Sequence, residues 1–155
     1  MMRYLCEIGD FIRRIRVQAR FGTLSREPLR LLRLQLSGTL IECEWIAREA
    51  DQWDASLPHY VRERNISAQA LEDAITVKKL LFSLMPDVDA ALLRVYRRLS
   101  DESPELIITG TVRRNEQPTF SVHSLVMRAK LCGLQFSLED GILGTLRPDE
   151  QAVST

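Results

Sequence analysis

The chain is poor in the residues that metal, redox and nucleotide chemistry require. Its three cysteines, Cys6, Cys43 and Cys132, lie far apart. No CxxC pair forms, which excludes a zinc knuckle and a dithiol redox site, and reduced buried thiols are expected instead. The seven glycines are scattered, and Gly141-x-x-Gly144 lacks the lysine and helix start of a phosphate loop. The only histidines are His59 and His123. No GxSxG turn precedes the Ser121–His123–Ser124 group, whose spacing is not that of a triad. Glu49, Asp51, Asp54 and His59 follow neither the calcium-loop nor the HExxH spacing, so they read as a solvated acidic loop. Glu139-Asp140-Gly141 reads as a turn. No metal, cofactor or catalytic residue is therefore assigned. Twenty-one basic residues balance 21 acidic ones, so the whole molecule has no strong attraction for a polyanion. Apolar runs such as Leu80 to Met85 fall far below the roughly 20 residues of a spanning helix. Charges between Met1 and Asp10 interrupt any signal-peptide core, so a cytoplasmic location is expected.

What remains is an ordinary globular composition, 45% hydrophobic and 27% charged over 155 residues, enough for one domain. Leu5, Ile8, Phe11, Ile12, Ile15 and Ala19 have helical spacing, which predicts a helix over 4–20 ending before Gly22. Leu32, Leu34 and Leu36 alternate with Arg33 and Gln35, and Ile41, Cys43 and Trp45 with Glu42 and Glu44. This predicts a hairpin around Ser37-Gly38, with Leu34 opposite Ile41, Leu32 opposite Cys43 and Arg33 opposite Glu42. Residues 47–66 lack a clean period and are expected either to wrap the body as a long loop, anchored by aromatics such as Trp53 and Tyr60, or to include a short helix. A second helix is expected from a Ser67 cap to Pro86, with Leu71, Ala74, Ile75, Leu81, Leu84 and Met85 inward.

Strands follow at 90–99 and 105–114, then a helix capped by Ser121 and ending at Gly133, then a strand through Leu134, Phe136 and Leu138 and an Asp140-Gly141 turn. The expected architecture is a single α+β domain over 1–146 with a flexible tail at 147–155. A helix-plus-hairpin unit occurs twice (the first within 1–66, the second within 67–146), followed by a C-terminal helix and strand in a mainly antiparallel sheet.

From Ser67 to about residue 142 the order is helix, strand, strand, helix, strand, with Ile108-Thr-Gly-Thr-Val112, Ala129 and Gly133-Leu134 at its landmarks. This half of the chain resembles a BON domain. The resemblance implies a compact module that binds phospholipid surfaces or helps to organise other domains.

Charge is unevenly placed. Residues 1–33 carry eight basic and three acidic side chains, and residues 34–75 three basic and eight acidic. Arg13, Arg16 and Arg20 share one helix face. With Trp53 and Tyr60 they form the expected contact surface of a non-catalytic protein-interaction module, acting on a partner or on a second copy. The alternative is a binder of RNA or an anionic lipid surface, through the basic helix or through Tyr96 flanked by Arg94 and Arg98, with Arg113 beside them. An enzyme of unrecognised class is the third reading.

Overall fold

The computed structural model describes residues 8–9, 11–12, 29–48, 56–98, 103–114 and 124–146. Among them a mixed four-stranded sheet packs against a long helix, with a small two-stranded ribbon beside it, so the α+β class expected from the sequence holds. Strands β1 (Arg30–Ser37) and β2 (Leu40–Ile46) form the first hairpin. Helix α1 (His59–Leu84) crosses to β3 (Ala90–Arg97), which pairs with β4 (Glu105–Arg113). Helix α2 (Leu125–Leu131) and the ribbon β5 (Leu138–Glu139) and β6 (Ile142–Leu143) complete the element order. Ile8, Gly9, Phe11 and Ile12 are helical, and Phe11 is fully buried; the other residues of the expected first helix lie outside the described residues. No helix among those described is long and apolar enough to cross a membrane.

The sheet order is β1-β2-β3-β4. Both hairpins are antiparallel, whereas β2 and β3 pair in parallel. The parallel pair follows from α1, because a strand, a 26-residue helix and a second strand make a crossover unit. Alternation along the strands sets the two faces. Ile41, Cys43 and Trp45 of β2, Ala91, Leu93 and Val95 of β3, and Ile108 and Val112 of β4 join Ala70, Leu71, Ala74, Val77 and Leu81 of α1 in one core. The opposite face carries Arg33, Glu42, Glu44, Arg94 and Tyr96.

The first hairpin turns at Gly38-Thr39 and not at Ser37-Gly38, so Leu34 faces Cys43 and Arg33 faces Glu44. Gly38 has a φ of 62°, the conformation a II′ turn places at its first central residue. The pairing differs by two residues from the expected one, which preserves every side chain's face. Arg33 also reaches diagonally to Glu42, at 3.2 Å. Leu32 does depart from expectation. A register shift between Leu31 and Arg33 turns Leu31 toward the core and leaves Leu32 51% exposed.

Helix α1 begins at His59, two turns before the expected Ser67 cap, and takes in the end of the segment expected as a loop. Ser67 is an interior residue of this helix, and its hydroxyl accepts a hydrogen bond from the Leu143 backbone N–H at 2.9 Å. At the other end, Pro86 forbids continuation. The guanidinium of Arg114 donates to the carbonyls of Phe82, Met85 and Val88 at 2.8, 2.6 and 2.8 Å, satisfying acceptors that the helix terminus leaves open. Helix α2 starts at Leu125 after a Ser124 cap, where Ser121 was expected. The stretch 134–138 is not one strand: Gln135 makes a single antiparallel bridge to Thr109, and β5 starts at Leu138.

Cys43 sits under the helix with no exposed surface. Burial, and then the neighbouring Glu44 carboxylate, push its thiol up to about 12. The nucleophile is the thiolate, so a maleimide at neutral pH should leave Cys43 unlabelled in the native protein and label it in denaturant. Peptide mapping by mass spectrometry checks this, and rapid native labelling would refute the packing described.

Candidate ligand groove between the two helices

Only part of the expected contact surface falls within the described residues. Arg13, Arg16, Arg20 and Trp53 lie outside the described residues. Tyr96 and Arg94 share the outer sheet face, but both are turned onto Glu44. The Tyr96 hydroxyl donates to Glu44 Oε1 at 2.9 Å, and Arg94 Nη1 stands 3.7 Å from Oε2. Burial and the Glu44 hydrogen bond raise the Tyr96 phenol above its ordinary value. Arg33 adds contacts to Glu42 and Glu44 at 3.2 and 3.8 Å. Two carboxylates thus sit among the cations of this face, and its pull on a polyanion is correspondingly weak. Arg98 is exposed just beyond β3, and Arg113 is exposed near the end of β4. Tyr60 is not in a loop: it stands 59% exposed in the first turn of α1, across the sheet from Tyr96. His59 is exposed beside it, with Glu63 at a loose 3.8 Å. Among the described residues no three His, Cys, Asp or Glu side chains converge as metal ligands.

A concave site appears elsewhere. The stripe Val61, Arg64, Asn65, Ala68 and Leu71 runs along one face of α1 at helical spacing. With Leu125 and Val126 of α2, Leu138 of β5 and Gly141 it lines a groove of about 450 Å³. That volume lies within the range of ligand sites, roughly 300–1,000 Å³. Local chemistry holds each wall in place. Asp140 and Gly141 have φ values of 54° and 81°, the left-handed pair of a type I′ turn. The ribbon is fastened to α1 through Ser67 and to the sheet through Arg97, which donates to the Leu143 carbonyl at 2.7 Å and to Glu105 at 3.2 Å. Thr145 donates to the same Glu105 oxygen at 2.5 Å, and these two hydrogen bonds hold that carboxyl below its ordinary value. Leu146 N–H donates to Leu106 at 2.8 Å. The Ser124 side chain accepts from Met127 N–H at the start of α2.

Arg64 and Asn65 are the polar members of an otherwise apolar lining. Neither side chain has a hydrogen bond or ion pair among the described residues, unlike Arg33, Arg48, Arg94, Arg97 and Arg114. Arg64 lies across the turn: a β-carbon at Gly141 would stand 3.0 Å from its Nε and 3.4 Å from its Cγ. Tyr60, one turn before Arg64 on the helix, is its neighbour on the outer side. The sequence contained a signal for this site. With the helix started after Pro58, Val61, Ala68 and Leu71 align on one face, with two polar residues set into the stripe. Compared with known protein families, curated proteins and solved structures, the chain matches none.

Proposed function

We propose that this chain is a non-catalytic protein-interaction module that takes an apolar segment of a partner protein into the groove between α1 and α2. The observation that carries the reading is the groove itself, a cleft lined by aliphatic side chains, with an arginine and an asparagine in its wall that have no polar partner among the described residues. Exposed Tyr60 beside Arg64 supports it, because tyrosine and arginine are over-represented among residues that dominate interface energies. The loose, solvent-facing His59–Glu63 pair offers no oriented general base.

The test is to fill the cleft. Ala68 is half-buried in its wall, and Ala68→Trp would occupy the space a ligand side chain needs. Random peptides displayed on phage and selected on the parent protein should lose at least about tenfold in affinity for Ala68→Trp, the scale of one buried methylene pair, with an unchanged thermal midpoint. RNA or an anionic lipid surface as the true ligand would instead give binding that falls steeply with salt and ignores this substitution. That result, or the absence of any enriched peptide, would defeat the proposal.

A further inference from the structure

We infer that the groove selects a partner segment in which an apolar side chain is flanked by an aspartate or glutamate, the carboxylate pairing with Arg64 and Asn65. The inference rests on the reading just given and adds the chemistry of the occupant. A guanidinium is always charged and presents its donors in a planar fork that matches a carboxylate. The Asn65 amide adds two further donors. Both stand on the groove wall without a polar partner among the described residues, one residue apart on α1. Asp140 neighbours Gly141 in the turn, yet it is exposed and makes no ion pair with Arg64 among the described residues. Among the described residues the only formal charge lining the cleft is therefore positive.

Position adds to charge. The Arg64 stem lies on the Gly141 backbone, close enough that a β-carbon there would press on Nε and Cγ. The turn thus limits where the guanidinium can point, and a side chain restricted before binding loses less entropy on binding. Ala68 and Leu71 lie one and two turns further along the same face, so a ligand whose carboxylate meets Arg64 lays its apolar neighbour against them. Lysine next to the apolar residue would bring two cations together, and a neutral residue would leave the guanidinium unpaired.

The experiment is a charge reversal read by selection. Displayed random decapeptides are enriched separately on the parent and on Arg64→Glu, with Arg64→Gln as a second variant should the reversal disturb folding. On the parent, enriched peptides should place Asp or Glu beside Leu, Ile, Met or Phe; on Arg64→Glu, Lys or Arg should take that place. In fluorescence polarisation, changing the acidic residue of the best peptide to its amide should weaken parent binding about tenfold or more and leave Arg64→Gln binding nearly unchanged. Enrichment of apolar peptides without acidic residues, or the same preference on all three proteins, overturns this inference and leaves the groove reading intact. Loss of binding on amidating the peptide C-terminus, with the side-chain change silent, overturns the assignment to an acidic side chain. If no peptide is retained and a dimer forms that Ala68→Trp dissociates, the occupant is a second copy of this chain, and both proposals fail.

Discussion

Asp73→Ala should cost the domain about 3–5 kcal/mol, the usual scale for breaking a buried ion pair by removing one partner. Arg48, just past the end of β2, and Asp73, midway along α1, are 4% and 6% exposed. Arg48 Nε donates to Asp73 Oδ2 at 2.9 Å and Nη2 to Oδ1 at 2.6 Å, and Gln69 Nε2 donates to Oδ1 at 2.8 Å. Alanine removes the acceptor of all three bonds at once and leaves donors in the interior that water cannot reach. The double substitution Arg48→Met, Asp73→Leu should recover most of the loss, because it removes both charges together. The carboxyl itself argues for this: burial raises Asp73 above its ordinary value, although Arg48 and Gln69 pull it down. Desolvation therefore outweighs the pairing. A carboxyl raised in the folded state contributes stability that is fully present below its unfolded value, 3.8, and is lost as pH rises through the folded one. Relative to the double variant, the parent should thus lose stability as pH rises through that window. Urea midpoints across the acid range measure both effects. A single variant within about 0.5 kcal/mol of the parent would mean that the pair has no such role.

The sheet faces were legible because alternation survives an error of two. The hairpin turned one residue later than Ser37-Gly38 suggested, yet Leu34, Cys43 and Trp45 kept their side. Leu32 was not legible, because a bulge reassigns faces without any mark in the pattern. The start of α1 was obscured by its sparse burial. Between His59 and Ile66 the helix buries little, since part of its apolar stripe faces the groove, and a half-open face produces no strong period. Ser67 misled in the same region: a serine ahead of an apolar run reads as a cap, while here its hydroxyl serves Leu143, 76 residues away. The parallel pairing of β2 with β3 and the Arg48–Asp73 pair have no local signature, since each joins residues that only the crossover of α1 brings together. Of the groove only the α1 stripe has a local signature, as its three walls come from three separate parts of the chain.

Gly110→Ala should destabilise the protein by about 3 kcal/mol or more, at the upper end for overpacking, because the new atom would strike backbone that cannot yield. A β-carbon there would stand 2.3 Å from the Gly133 carbonyl oxygen and 3.0 Å from Leu134 Cα, so the backbone of β4 and the exit of α2 are in direct contact. The opposing segment is fixed from both sides. At the end of α2 the Leu134 N–H donates to Ala129 at 3.2 Å and the Gly133 N–H to Lys130 at 3.0 Å, the bond pattern of a Schellman cap, with Gly133 at a φ of 99°. One residue further, Gln135 exchanges two backbone hydrogen bonds with Thr109, at 3.1 and 2.7 Å. Relief of the clash therefore has to open the bridge, the cap or both. Since α2 supplies Leu125 and Val126 to the groove, the same substitution should weaken peptide binding at temperatures where the core remains folded, with loss of hydrogen-exchange protection at Gln135 and Leu134. Gly144→Ala is the control: its β-carbon would find nothing nearer than 3.9 Å, and it should shift the urea midpoint by no more than about 0.5 kcal/mol. Equal effects from the two alanines would mean that the contact between Gly110 and Gly133 does not hold α2 in place.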